Sequence, residues 1–191
     1  VEFMGSSGTL IAGWKLKQLV AQTPVHKQDG LYLYSPPELN HAYVIIADVS
    51  RGKGLDYSAF SVIDVTTMPY NQVCVYRNNM LTPADYAGVV HQIAKRFNNA
   101  SVLVEINDIG EQVSHTLHGE FEYENVLFTE HAGRSGKRIT SGFGANVDKG
   151  IRTTKTVKSV GCSIVKLLIE QNQLIINDFN SCSNSNSCSS Y

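Results

Sequence analysis

A mixed α/β domain built around one sheet is what this sequence predicts, and three observations predict it. Three strand-like apolar runs follow one another through short turns between residues 41 and 78. A clearly punctuated amphipathic helix comes next, from Thr82 to Phe97. Beyond it, strand and helix signals alternate as far as residue 179.

Each element has its own justification. "HAYVIIADV" (41–49) is a continuous apolar run, as expected of a strand covered on both faces. "SAFSVIDV" (58–65) and "NQVCVYRN" (71–78) flank "TTMPYN", a proline-containing turn, so the three strands should form an antiparallel meander. Thr82 can cap the helix, Pro83 suits its first position, and Asp85 sits near its positive end. Tyr86, Val89, Val90, Ile93 and Phe97 then recur on one face. "SVLVEI" (101–106) predicts a buried strand, "GEQVSHTLH" (110–118) a short helix and "NVLF" (125–128) another strand. Val157, Val160, Ile164, Leu167 and Leu168 mark a second long helix, and "QLIINDF" (173–179) a last strand. Three antiparallel strands followed by alternating helices and strands is the order of a ribonuclease-H/resolvase-like mixed sheet flanked by helices. Other mixed sheets share parts of it.

Ahead of this, residues 1–40 read as a lead-in, with Trp14 as a packing anchor and "SPPELN" (35–40) as a stiff linker. The domain proper is expected over 41–180. Residues 181–191, "CSNSNSCSSY" with its preceding serine, form a low-complexity tail too poor in apolar groups to offset its ordering entropy.

Composition narrows the function. A chain of 191 residues suits one sizeable domain, and 16 Lys and Arg against 17 Asp and Glu leave a net charge of −1. Any nucleic-acid affinity must therefore come from charge distribution rather than total charge. No run reaches the roughly 20 apolar residues of a membrane span. Cys182 and Cys188 lack the partners of a zinc site, and a reducing cytoplasm is the expected compartment.

The chemistry lies in acids that end apolar strands. Asp48 closes "YVIIAD" and Glu105 closes "VLVE". If the two strands are neighbours, both carboxylates leave the sheet at one edge. Close carboxylates repel unless a cation lies between them, and Mg²⁺ or Mn²⁺ suits such hard oxygen donors. Paired ions of this kind support phosphodiester hydrolysis. A solvated turn or cap residue is the competing explanation for each acid. Asp56, in "GKGLDYS", fits an Asx turn as well as a supporting role beside the site. Basic residues form two groups: Arg51 and Lys53 beside Gly52 and Gly54, and Arg134, Lys137, Arg138, Lys149, Arg152 and Lys155 within a glycine-rich segment. They could follow a phosphate backbone, or form a solvated loop. No phosphate-binding GxxxxGK[ST] motif occurs.

"EFMGSSGTLI", "ADVSRGKGLDYSAFSVIDV", "VLVEIND" and "KSVGCSIVKLLIEQNQLII" closely resemble the C-terminal nuclease part of the large terminase subunit of tailed bacteriophages, particularly T4-like ones. The resemblance runs from about Val1 to about Asn180. It implies a domain that cuts concatemeric viral double-stranded DNA in the host cytoplasm, working with an ATPase domain of the same polypeptide, a portal and a small terminase subunit. It also implies a two-metal Mg²⁺ or Mn²⁺ site in which Asp48 and Glu105 are ligands and Asp56 a supporting acid. Some relatives carry an acid where Arg51 stands. The family's third catalytic aspartate, expected beyond the last strand, has no counterpart in the acid-free tail, and Asp178 comes too early to match it. One metal and impaired cleavage are therefore expected. The alternative is a catalytically incomplete module of the same fold that binds DNA or docks on the motor or portal.

Overall fold

The computed structural model describes residues 11, 13–16, 18–52, 54, 56–132, 137–140, 142 and 147–178. The main sheet contains β1 (His26–Gln28), β2 (Leu31–Leu33), β3 (Tyr43–Asp48), β4 (Ser58–Asp64), β5 (Tyr70–Asn78) and β6 (Ser101–Val104). Their spatial order is β1-β2-β5-β4-β3-β6. The expected meander is present: β3, β4 and β5 pair antiparallel, and β6 lies parallel to β3. β1 and β2 fall within the presumed lead-in, yet β2 pairs with β5. The sheet thus draws on residues ahead of Asn40.

The first long helix (α2, Pro83–Arg96) follows a single turn at Gly13–Leu16 (α1). Thr82 Oγ1 accepts a hydrogen bond from the Asp85 amide and caps α2 as its sequence suggests. Its apolar face buries Tyr86, Val90, Ile93 and Phe97 with Tyr43, Ile45, Phe60, Val62, Val102 and Val104 of the sheet. Phe97 meets Tyr43 edge to face at 5.1 Å, and Phe60 stacks on Tyr76 at 5.2 Å.

Only one face of β3 is covered in this way. Tyr43, Ile45 and Ala47 are buried, whereas Ile46 is 51% exposed. The expectation of a strand buried on both faces is therefore wrong. The β period of two sends Val44, Ile46 and Asp48 to the side away from α2.

The remaining elements are α3 (Gly110–His115), continued by a π turn at Thr116–Glu120, then β7 (Phe128–His131), β8 (Lys137–Thr140), β9 (Val147–Asp148), α4 (Lys155–Glu170) and β10 (Leu174–Ile175). The strand expected at "NVLF" begins only at Phe128, and it joins β8 and β9 in a separate sheet. Val126 makes just an isolated bridge to Val102. The final strand shortens to two residues, pairing parallel with β5. Trp14 does not anchor the lead-in, being 63% exposed. Ile11 does so instead, in a small second core with Ile169 and Ile176.

Candidate functional site

The parallel register of β3 and β6 brings Asp48 to Glu105. Ala47 lies opposite Val104, and the Glu105 amide donates to the Ala47 carbonyl at 2.8 Å. Asp48 and Glu105 thus follow the last paired residues of adjacent strands and leave the sheet on the same side. Asp48 presents surface to solvent, yet protein packs closely around its carboxyl. That burial is the largest cause of a pKa pushed up to about 6, followed by repulsion from Glu105 and then, more weakly, from Asp56.

Glu105 is oriented by a neighbour the sequence did not single out. Asn107 Nδ2 donates to Glu105 Oε1 at 3.0 Å and to the Thr153 carbonyl at 3.1 Å. Gly110 is required nearby, because a Cβ there would stand 1.8 Å from the Glu105 carbonyl oxygen. Beneath the site, the buried Tyr86 hydroxyl donates to the Ala59 carbonyl at 2.6 Å.

A cavity of about 470 Å³ opens here, lined by Asp48, Ser50, Arg51, Asp56 and Asp108 among others. Ser50 Oγ donates to the Asp56 carbonyl at 2.7 Å, and the Gly54 amide donates to the Asn79 carbonyl at 2.9 Å. A Cβ on Gly52 would lie 2.0 Å from the Leu81 carbonyl oxygen, so the loop sits directly against that backbone. Asp56 is exposed on the cavity wall.

The basic residues divide three ways. Lys53 and Arg134 lie outside the described residues. Arg51, Lys137 and Arg138 are already paired: Arg51 with Asp108 at 2.7 Å, Lys137 with Asp148 at 2.5 Å and Arg138 with Glu130 at 2.6 Å. Lys149, Arg152 and Lys155 are exposed. Their segment reaches the site because Ile151 bridges parallel to Glu105, with Ile106 N donating to the Ile151 carbonyl at 2.9 Å. No sequence pattern announced that bridge.

Asp178 is not available as a local third acid. It is 3% exposed and salt-bridged to Arg77 through two bonds of 2.9 and 3.0 Å. Tyr34 OH adds a third bond at 3.0 Å. Among the described residues, no group of three or more His, Cys, Asp or Glu is placed to hold a metal ion. Two adjacent carboxylates, one oriented by an amide, fit a single hard divalent cation.

Comparison with known proteins places these features in context. Residues 45–187 match the terminase RNaseH-like domain family. The large terminase nuclease from thermophilic phage G20c with bound magnesium superposes with a TM-score of 0.70 at 18% identity, covering 95% of this chain and 81% of that one. Its cobalt-bound form gives the same values. The large terminase nuclease domain of Thermus phage P74-26 has a TM-score of 0.59 at 19% identity, covering 90% of this chain and 75% of that one.

Proposed function

Because this chain belongs to the terminase RNaseH-like domain family, we propose that it is a metal-dependent endodeoxyribonuclease acting on viral double-stranded DNA during packaging. The juxtaposition of Asp48 and Glu105 at the ends of β3 and β6 is the observation that carries this reading. Asp48 and Glu105 would hold Mg²⁺ or Mn²⁺, which when bound supplies Lewis-acid activation of water for phosphodiester hydrolysis. Asn107 keeps Glu105 oriented toward Asp48, and Asp56 adds negative potential beside Asp48. Lys149, Arg152 and Lys155 would meet phosphates on the side where residue 151 runs beside Glu105. Backbone contacts of this kind imply little sequence preference. The host cytoplasm is the compartment this role requires. An ATPase domain in the same polypeptide, a portal and a small terminase subunit are the partners it implies.

Among the described residues no third acid joins Asp48 and Glu105, which favours a second reading: a catalytically incomplete module that grips DNA or docks on the motor or portal. One experiment separates the two. Supercoiled plasmid is incubated with the chain and Mn²⁺, beside Asp48→Asn. Slow nicking lost in Asp48→Asn supports the nuclease. Salt-dependent DNA binding with no nicking selects the binding module. At subsaturating Mn²⁺, cleavage should weaken as pH falls through about 6, because the proton then competes with the cation for Asp48. A rate that rises on acidification would contradict a carboxylate-held cation.

A further inference from the structure

The geometry points to Asp108 as a positioning residue that presents Arg51 to a DNA phosphate, an inference resting on the DNA-cleaving or DNA-gripping role proposed above. Arg51 and Asp108 are 57 positions apart, on two different loops at the cavity rim. Their contact is side-on and two-pronged: Nε donates to Oδ2 at 3.0 Å, and one terminal nitrogen (Nη2) donates to Oδ1 at 2.7 Å and Oδ2 at 2.9 Å. A guanidinium has five N–H donors in a rigid fork. This pairing occupies the Nε edge and leaves the Nη1 end free to donate to an anion.

Both anchors are themselves preset. Arg51 follows Ser50, whose amide donates to Ser58 Oγ at 2.9 Å, and precedes Gly52, seated against the Leu81 carbonyl. Asp108 holds φ at +52°, in the tight turn that ends at Gly110. An exposed ion pair of this kind adds little to stability, since both side chains are more than half exposed. Its effect is to remove rotamer freedom from Arg51 before a phosphate arrives. The opposite role would be competition, with Asp108 neutralising Arg51 and keeping it from DNA.

These roles differ in sign, so substitution decides between them. Binding of a fluorescein-labelled 20-base-pair duplex is followed by anisotropy in EDTA, where nothing is cut, across a range of NaCl. Asp108→Asn removes a negative charge and, by charge alone, should tighten binding. Loss of positioning should instead weaken it about twofold to tenfold, the equivalent of re-ordering one long side chain. Arg51→Ala should also weaken binding and should flatten the log–log salt slope by about 0.9, the loss of one phosphate contact. In an Arg51→Ala background, Asp108→Asn should no longer weaken binding. Arg51→Lys, which keeps the charge and loses the fork, should behave more like Arg51→Ala than like the parent. Unchanged or tighter binding by Asp108→Asn in the parent chain, or parent-like binding by Arg51→Lys, overturns the inference and leaves the proposed function standing. A parent chain that binds no duplex at low salt overturns both.

Discussion

Replacing Asp178 by Asn asks whether the last acid of the sequence is a structural clamp or a ligand of the proposed metal site. Its carboxylate is buried and receives two bonds from Arg77 and one from Tyr34. The Asp178 and Asn177 amides both donate to Gln72 Oε1, at 3.0 and 3.1 Å, tying this segment to β5. Breaking a buried pair by removing one partner costs about 3–5 kcal/mol. The Arg77 side chain is 20% exposed and can recover some hydration, and the asparagine oxygen can still accept from Tyr34. The lower end, about 3 kcal/mol, is therefore expected. For a chain of 191 residues that corresponds to a fall in Tm of about 6–12 °C. Urea unfolding followed by circular dichroism measures the loss, and titration calorimetry with Mn²⁺ measures cation binding. Stability should fall while Mn²⁺ affinity stays within about twofold of the parent, roughly 0.4 kcal/mol. A stability loss under about 1 kcal/mol, too small for a broken buried pair, would refute the clamp. A large drop in Mn²⁺ affinity at unchanged stability would make Asp178 a ligand.

Two further outcomes follow from neighbouring features. Gly110→Ala forces a Cβ to within 1.8 Å of the Glu105 carbonyl oxygen. It should cost about 1–3 kcal/mol of stability through overpacking and weaken Mn²⁺ binding, and a parent-like urea midpoint would contradict it. The His41–Asp64 pair, 2.6 Å apart, should give the fold a pH-dependent support. Burial pushes Asp64 upward, but hydrogen bonds from Thr66 and His41 outweigh it and hold the carboxyl below its ordinary 3.8. The bond to Asp64 holds His41 above its ordinary 6.5. The His41 contribution is complete below pH 6.5 and disappears as pH rises through the raised value. The Asp64 contribution is complete above pH 3.8 and disappears as pH falls through the lowered one. The stability gap between parent and Asp64→Asn should therefore be widest between about pH 4 and 6.5; urea midpoints showing a gap that widens toward pH 8.5 would reject this pairing.

By itself the sequence determined the antiparallel meander of β3, β4 and β5, the capped helix at Thr82 and the two acids that end apolar strands. These are local matters of periodicity, capping and carboxylates placed where solvation is poor. β1, β2, β8 and β9, by contrast, were not legible in it. The resemblance in its motifs also agrees with the family the chain belongs to. Which strand face stays open was not legible, because a continuous apolar run looks the same whether one face is covered or two. Nor was the use of each cation. Arg51 looks free in "SRGKG" until folding brings Asp108 to it, and Lys137 and Arg138 meet their acids only through the pairing of β7 with β8 and β9. Asp178, which comes too early in the chain to match the family's third aspartate, is held elsewhere by its burial against Arg77. Asn107 and residue 151 reach Glu105 through contacts across loops. Long-range contacts of this sort leave no periodic trace in the chain, so only the tertiary structure decided which charges are spent on the fold and which remain for a ligand.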